Sequence, residues 1–247
     1  MGKLLEDPDP TVRCGALWGL GKLPEALVKL SREIARRLED EDAWVRDVTL
    51  HVLAKLAPDE LAKLSAHLAS VIAEHERPPV RAAALSALGM LADTELAKHA
   101  DACVAQFMQP DVKLRMAAVE TLGKLAPPAL ATHADAIVGR LEDENENVRQ
   151  AALAALGRLP TDDLALQSPA MIALLEHASA PVRCTALVGL SELPAAEHAK
   201  AMGAIVARMQ DADPAVRRTA LAALCGKHAP TTTTPDEVSQ RQTSHQL

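Results

Sequence analysis

Aromatic residues are nearly absent from this chain of 247 residues. Only 1% of the residues are aromatic, with no tyrosine, one phenylalanine and two tryptophans, although 49% are hydrophobic. Small and branched aliphatic side chains must therefore fill the core, as in helices that pack closely along a repeated array. A chain of this length allows one or two ordinary domains, but an array of repeats suits its composition better.

Long apolar runs and an excess of positive charge are also missing. No run approaches the roughly 18 residues that a membrane span needs, and the N-terminal sequence MGKLLEDPDP lacks the apolar core of a signal peptide. The net charge of −7 argues against nucleic-acid and anionic-membrane partners, because phosphates are bound by clustered Lys and Arg. We therefore expect a cytoplasmic protein.

Cysteine pairs and catalytic motifs are missing as well. Cys14, Cys103, Cys184 and Cys225 form no C-x-x-C pair, so we expect free thiols, mostly buried, in a reducing compartment. There is no Gly-rich phosphate loop, G-x-S-x-G elbow or H-E-x-x-H motif, and we expect no cofactor. Isolated glycines recur at one repeat position, where they indicate close helix packing: Gly21, Gly89, Gly123 and Gly157.

The chain contains seven copies of one sequence motif, called the repeat phrase here: a polar turn, a Val-Arg pair and hydrophobic residues at helical spacing. A Val-Arg pair, or Leu-Arg in one copy, recurs at a spacing of 33 to 35 residues, which predicts a solenoid. Hydrophobic residues follow each arginine by four and seven positions, and in six copies by ten, which predicts one apolar stripe on a helix. In order, these residues are Leu17, Leu20 and Leu23; Leu50, Leu53 and Leu56; Leu85, Leu88 and Leu91; Val119, Leu122 and Leu125; Leu153, Leu156 and Leu159; Leu187, Leu190 and Leu193; and Leu221 and Leu224.

The other half of each repeat is helical too. One copy places Leu130, Ala134, Ile137 and Leu141 on a single face, and prolines and acidic turns separate the halves. Asp and Asn in the acidic turns are expected to cap the helix that follows. The sequence therefore predicts an all-α solenoid of about seven stacked antiparallel helix pairs over residues 1–229. In each pair, helix B is the helix that carries the repeat arginine, and helix A is the helix before it. The first repeat is incomplete: this half-repeat either caps the stack or marks a piece of a longer array. Residues 230–247 are polar and without periodicity, which predicts a disordered tail.

The pattern D-x-x-x-x-V-R-x-x-A-L-x-x-L-G-x-L resembles HEAT repeats, which are armadillo-like, and especially the short 34-residue kind found in phycobilisome-lyase-type proteins. The resemblance covers roughly residues 5–229. It implies a right-handed superhelix and a ladder of hydrogen bonds between aspartates and arginines of neighbouring repeats. The ladder residues would be Asp7, Arg13, Asp40, Arg46, Arg81, Arg115, Asp143, Arg149, Arg183, Asp211 and Arg217. His75, Gln109 and His177 replace the aspartate in three repeats, where the ladder is open to question.

The same resemblance implies that helix B lines a concave face where partners bind. Positions outside the apolar stripe, one and five residues after each arginine, would form this surface, and Cys14 is among them. The candidate binding residues are Trp18, Lys22, Lys55, Met116, Glu120, Lys124, Gln150 and Arg158. Trp18 suits either a partner anchor or packing against a preceding repeat. The basic column Lys22, Lys55, Lys124 and Arg158 suits either helix C-terminal carbonyls or an acidic peptide.

These observations favour a non-catalytic scaffold or adaptor that binds a protein or peptide along the concave face. One alternative is a HEAT-fold enzyme or enzyme accessory, lyase-like or metal-dependent. The metal-dependent form resembles deoxyhypusine hydroxylase, which is implied to need several His-Glu pairs, whereas this chain has only His75-Glu76; we therefore expect no metal site. A second alternative is a structural fragment of a larger protein. The sequence leaves the partner and the oligomeric state open.

Overall fold

The computed structural model describes residues 2–224, and every regular element in that range is helical. In chain order the α-helices are α1 (Pro10–Leu20), α2 (Pro24–Lys29), α3 (Ser31–Ala35), α4 (Ala43–Leu53), α5 (Pro58–Ala62), α6 (Ser65–Glu74), α7 (Pro78–Leu88), α8 (Asp93–Leu96), α9 (Ala100–Val104), α10 (Val112–Leu122), α11 (Pro127–Ala131), α12 (Ala134–Val138), α13 (Glu146–Leu156), α14 (Thr161–Leu166), α15 (Ser168–Ala173), α16 (Ala180–Ser191), α17 (Ala195–Ala207) and α18 (Pro214–Leu224). Short 3₁₀ helices cover Gly2–Glu6, Arg36–Glu39, Ala97–His99, Gly139–Glu142, Leu174–Glu176 and Arg208–Gln210.

The helix B of each repeat is α1, α4, α7, α10, α13, α16 or α18, and polar turns start most of them. Asp9, Asp42, Asp111, Asn145 and Asp213 each accept a backbone N–H from the first turn of the helix that follows. Such caps satisfy donors that have no partner inside the helix. The capping predicted for the acidic turns is confirmed.

Helix A is not the continuous helix that its periodicity suggests. In most repeats it is divided into two or three short segments, such as α11, α12 and the 3₁₀ helix Gly139–Glu142. The backbone leaves the α region at the break: His99 and His133 both have φ −114° and ψ 11°. Leu130 and Ile137 on either side are both fully buried. Burial seven residues apart suits a straight or a bent helix, so the sequence pattern could not distinguish them.

The predicted stripe of helix B forms much of the core. Most of its residues are buried, but Leu50, Leu153 and Leu224 are only partly buried, and Leu23 and Leu221 are 47% and 55% exposed. Leu23 belongs to the turn after α1, and α18 has no following repeat in the described range. Cys14 and Cys103 are buried and Cys184 is partly buried, all as free thiols. Cys14 therefore lies in the core rather than on the surface predicted for its position.

The chain divides into two compact units, Met1–Gln167 and Ser168–Leu247. In the first unit the B helices pack in chain order, α1 on α4, α4 on α7, α7 on α10 and α10 on α13. In the second unit α16 packs on α18, and both contact α17. The predicted all-α class and α-solenoid stacking are confirmed. The 3₁₀ helix Gly2–Glu6 precedes α1, in the position that helix A occupies in later repeats. The predicted tail, 230–247, lies outside the described residues.

Candidate functional site

The repeat arginines first bind the turn that precedes their own helix. Nη1 donates to the carbonyl oxygens six and five residues earlier, at 2.8 to 3.1 Å. The arginines that do so are Arg13, Arg46, Arg115, Arg149, Arg183 and Arg217. Because each guanidinium occupies two backbone acceptors with one nitrogen, its remaining N–H groups can reach the neighbouring repeat.

Three of these arginines extend to the aspartate of the next turn. Nη2 of Arg13 lies 2.7 Å from Asp40 Oδ1. Arg115 binds both oxygens of Asp143, at 2.8 and 2.9 Å, and Arg183 binds both oxygens of Asp211, at 2.9 and 2.7 Å. These charge-assisted pairs are directional, and those of Arg115 and Arg183 are bidentate, so they set the register between adjacent repeats.

The aspartate substitutions keep different parts of this arrangement. Gln109 still accepts a bond from an arginine, because Arg81 Nη2 lies 3.3 Å from its Oε1, and Gln106 accepts a second at 3.2 Å. His75 and His177 keep the turn instead. Nδ1 of each accepts the backbone N–H two residues later, at 3.1 and 3.0 Å, as the carboxylates of Asp40 and Asp143 do. An aspartate at this position therefore has two roles: it accepts hydrogen bonds from an arginine of the preceding repeat, and it accepts the backbone N–H of its own turn. Gln109 keeps the first role, and His75 and His177 keep the second.

The hydrogen bonds from these arginines lower the pKa of the aspartates that accept them. Burial raises the pKa of the Asp143 carboxyl, but hydrogen bonds from Arg115 and from the Asn145 N–H outweigh it, so the net pKa lies below its ordinary value. The hydrogen bonds of Arg183 likewise lower the pKa of Asp211. Both carboxylates are held in the charged form that their arginines bind.

A second row of arginines joins successive A helices, and the sequence reasoning missed it. Nη1 of Arg37, Arg140 and Arg208 donates to the backbone oxygens of Leu5, Phe107 and Leu175, at 2.9, 2.8 and 2.9 Å. The guanidinium of Arg140 also lies 5.9 Å from the Phe107 ring centre. The signal was present as an arginine three residues before the turn aspartate, in RLED, RLED and RMQD.

The basic column after helix B contacts the preceding repeat. Lys55 Nζ lies 3.4 Å from the oxygen of Gly21, and Arg158 Nη1 donates to the oxygen of Gly123. Both glycines are the C-terminal caps of the preceding helix B, where carbonyl oxygens lack helical partners. Two members of the column therefore bind backbone acceptors of the neighbouring repeat, and Lys22 and Lys124 are exposed.

A groove runs between α10 and α13 in the first unit, with a volume of about 440 Å³. Its lining residues are Met116, Val119, Glu120, Gly123, Lys124, Asn147, Gln150, Ala151, Ala154, Ala155 and Arg158. Small apolar side chains make up much of the lining, and carboxylate, amide and cationic groups accompany them. Five of the eight predicted binding residues meet here: Met116, Glu120, Lys124, Gln150 and Arg158.

The other three predicted binding residues lie on and just after α1 and α4. The Trp18 ring is 38% exposed and packs on the following repeat, with its centre 4.8 Å from the His51 ring and 5.5 Å from Lys55 Nζ. Lys22 lies after α1 on the exposed surface. Trp18 and Lys55 are therefore neighbours in space, but they do not line the groove between α10 and α13.

Within residues 2–224, no three His, Cys, Asp or Glu side chains converge as a set that could hold a metal ion. In the same range, no helix is both long and apolar enough to cross a membrane.

Comparison with protein families matches the chain to HEAT repeats over residues 1–89 and 101–168. The chain belongs to the HEAT-repeat family. The resemblance predicted from the D-x-x-x-x-V-R phrase is thereby confirmed, and the arginine contacts described above are contacts within and between HEAT repeats.

Among solved structures, this HEAT chain is similar to an engineered protein, with 16% identity, a TM-score of 0.46, and coverage of 90% of this chain and 93% of the other. It is also similar to a chain in the complex of CpcE and CpcF of phycocyanin lyase from Nostoc sp. PCC7120. That match has 21% identity, a TM-score of 0.45, and coverage of 66% of this chain and 98% of the other. A search of curated proteins finds no match.

Proposed function

We propose that this HEAT-repeat chain is a non-catalytic scaffold that binds a protein or peptide in the groove between α10 and α13. The observation that carries the proposal is the composition of the groove. Residues common to the repeats, such as Arg149 and Leu156, are buried, whereas the groove also contains positions where the repeats differ. These positions are those of Met116, Glu120, Gln150 and Ala154. Binding specificity requires such differences, because a surface identical in every repeat would offer the same contacts everywhere.

The chemistry of the groove suits a peptide segment. Ala151, which is partly buried, and Ala154, which is exposed, provide small apolar surface against which a short apolar side chain can pack. The exposed amides of Asn147 and Gln150 offer donors and acceptors to a peptide backbone. These features support a ligand with alternating apolar and polar contacts.

Charge in the groove favours a ligand that carries a carboxylate. Lys124 and Arg158 supply two cations, whereas Glu120 is the one acidic residue in the lining. Arg158 already donates a hydrogen bond to the Gly123 oxygen, whereas the Lys124 side chain is exposed, so Lys124 is the cation more available to bind a ligand. A carboxylate beside Lys124 would contribute specificity and a faster association rate.

Selection of binding peptides from a random displayed library, with the full chain as target, tests the proposal. We expect Ala154→Arg to weaken selected peptides by about tenfold or more, because the long side chain fills the groove. Ala222→Arg is the matched control, since Ala222 is also exposed and occupies the equivalent position of α18. Equal affinities for the two variants would refute binding in this groove, as would chemical turnover of a bound ligand for the non-catalytic part.

A second pair of variants tests the charge preference. Lys124→Glu should weaken peptides that contain Asp or Glu and leave neutral peptides unchanged, because it replaces attraction by repulsion. Lys22→Glu makes the same change at the equivalent position after α1, outside the groove. If both variants weaken acidic peptides equally, the effect comes from net charge and not from the groove.

Because the described cysteines are free thiols, we also propose a reducing compartment, the cytoplasm.

A further inference from the structure

The surface formed by α17 and α18 exposes apolar residues at positions that most other repeats bury. Leu221 is 55% exposed, whereas its equivalents Leu17, Leu85, Val119 and Leu187 are fully buried, and Leu50 and Leu153 are partly buried. Met209 is 36% exposed, whereas its equivalents Leu38 and Leu141 are fully buried. Met202 and Val206 of α17 are exposed as well. In the described residues no repeat follows α18, so this surface is the uncovered side of a repeat interface.

The surface formed by Gly2–Glu6 and α1 is uncovered on the opposite side of a repeat. Val12 is 36% exposed, whereas its equivalents Val45, Val80, Leu114 and Val148 are fully buried. Leu4 in the same region is exposed too. These are the residues that a preceding repeat would cover.

Polar groups at the two surfaces are complementary. Arg217 Nη1 binds the oxygens of Asp211 and Ala212, which repeats what Arg115 and Arg183 do in their own turns. In Arg115 and Arg183, Nε and Nη2 then bind the aspartate of a following repeat. Among the described residues, no carboxylate occupies that place beside Arg217.

Asp7 supplies the matching acceptor. Its Oδ1 accepts the Asp9 N–H at 2.9 Å, as Asp143 Oδ1 accepts the Asn145 N–H at 2.9 Å. Asp143 also binds an arginine from the preceding repeat, whereas no arginine of the described residues reaches the Asp7 carboxylate. One surface therefore presents the donor half of a ladder contact, and the other presents the acceptor half.

We propose that the α17–α18 surface of one molecule stacks on the Gly2–Glu6 and α1 surface of a second copy of this chain, with Arg217 of the first bound to Asp7 of the second. A second copy is the occupant that fits, because the two surfaces are the two sides of the same kind of interface. Residues 225–247 are a poorer match in sequence: they contain no Val-Arg pair, and their apolar residues are Cys225, Ala229, Val238 and Leu247.

This contact joins unlike surfaces, so it leaves one surface of each kind uncovered on the growing assembly. Association is therefore heterologous, and it continues as an open chain of molecules or closes into a ring instead of stopping at a symmetric dimer. The contact is independent of the groove between α10 and α13, so failure of peptide binding would not affect it.

Sedimentation velocity of the full chain over a wide range of concentrations measures this association. We expect the sedimentation coefficient of the wild-type protein to rise with concentration, and Leu221→Glu to raise the dissociation constant by about tenfold or more through burial of an unpaired charge. Met108→Glu is the matched control, because Met108 is 78% exposed and belongs to neither surface. It should associate like the wild-type protein.

Charge reversal tests the pairing and does not depend on one variant folding well. Arg217→Asp alone and Asp7→Arg alone should each weaken association, because like charges then face each other. The double variant should recover association, and so should an equimolar mixture of the two single variants.

Three results would overturn the proposal: a wild-type protein that stays monomeric throughout, association that Leu221→Glu leaves unchanged, or association that stops at a dimer and is not recovered by the double variant. In the monomeric case, hydrogen exchange of α18 would identify coverage by residues 225–247. In the last case, a symmetric contact through α17 and α18 would replace the one proposed here.

Discussion

At the scale of single residues, the repeat arginine acts at two levels of structure. One nitrogen closes the turn before helix B, and the others bind the neighbouring repeat, so a single side chain couples local structure to stacking. Arg115 shows both parts, with the Gln109 and Pro110 oxygens on one side and the Asp143 carboxylate on the other. Its side chain and that of Asp143 are almost fully buried. The pair is therefore costly to break from one side, because the remaining charge stays away from water.

Replacing Arg115 by methionine tests this cost. We expect Arg115→Met to lower the free energy of unfolding by about 2–4 kcal/mol, because Asp143 keeps a buried charge without its main partner. Arg46→Met is the control: Arg46 binds the oxygens of Asp40 and Glu41 in its own turn and is more exposed, so we expect about 1 kcal/mol. Urea denaturation followed by circular dichroism gives both values. Equal losses would show that the contact between repeats adds little.

The same pair predicts a dependence on pH. The folded state lowers the pKa of Asp143, so the contribution of this carboxylate is complete above its unfolded pKa of about 4 and is lost as pH falls through the lower folded value. We expect the wild-type protein to be more stable than Asp143→Asn at pH 7, with the difference shrinking below about pH 4. Thermal denaturation between neutral and acidic pH measures it. A difference that does not change with pH would mean that the carboxylate charge is not responsible.

At the scale of elements, close packing between B helices depends on particular glycines and not on all four. A Cβ added at Gly123 would lie 3.1 Å from the Ala155 Cβ on the facing helix, which is closer than ordinary contact. At Gly157 the nearest atom is the Leu153 oxygen of its own helix, at 3.5 Å, an ordinary distance. At Gly89 the neighbour is the flexible end of Lys124. At Gly21 a Cβ would lie 3.3 Å from Val52 Cγ2 on the facing helix, which is also a close contact. The sequence showed four equivalent glycines, but a facing B helix crowds Gly123 and Gly21 and does not crowd Gly157.

Alanine substitutions at Gly123 and Gly157 separate the effect of helix packing on stability from the effect of the backbone. Both glycines have helical backbone angles, so alanine should stabilise the helix end by about 0.5–1 kcal/mol where there is room. We expect Gly157→Ala to be neutral or stabilising, and Gly123→Ala to be less stable than Gly157→Ala because α13 must move away. Melting temperatures of the two variants give the comparison. The reverse order would show that the helices yield without cost.

At the scale of the whole molecule, each repeat depends on its neighbours for stability. In the first unit α7 lies between α4 and α10, whereas α1 packs on α4 alone among the described B helices. A repeat in an array gains one interface term from each neighbour, so stability is lowest where a neighbour is missing.

Hydrogen exchange should follow this order. At low protein concentration we expect the amides of α1 to exchange faster than those of α7 and α10, because opening α1 breaks fewer contacts between repeats. Exchange measured by mass spectrometry on peptides from these helices tests the order. Equal protection of all three helices would indicate that the first unit opens in a single cooperative step.

The repeat phrase was sufficient to predict much of the fold. The 3.6-residue period of Leu17 and Leu20 and their equivalents predicted helix B, and the acidic turns predicted its caps. The breaks in helix A were not predictable, since buried residues seven apart fit either a straight or a bent helix. The row Arg37, Arg140 and Arg208 was visible as R-x-x-D, but nothing local to those residues indicates that their acceptors lie about one repeat earlier.

The sequence by itself determined the class, the period and the buried stripe, because these depend on spacing within one helix and on the polarity of each turn. Only the tertiary structure decided which arginines meet an aspartate, which glycines are crowded, and which of the candidate residues share a groove. Those outcomes depend on the distance between neighbouring repeats, which no single repeat specifies. Met116, Glu120, Lys124, Gln150 and Arg158 meet because α10 and α13 pack together, whereas Trp18 belongs to another pair of helices.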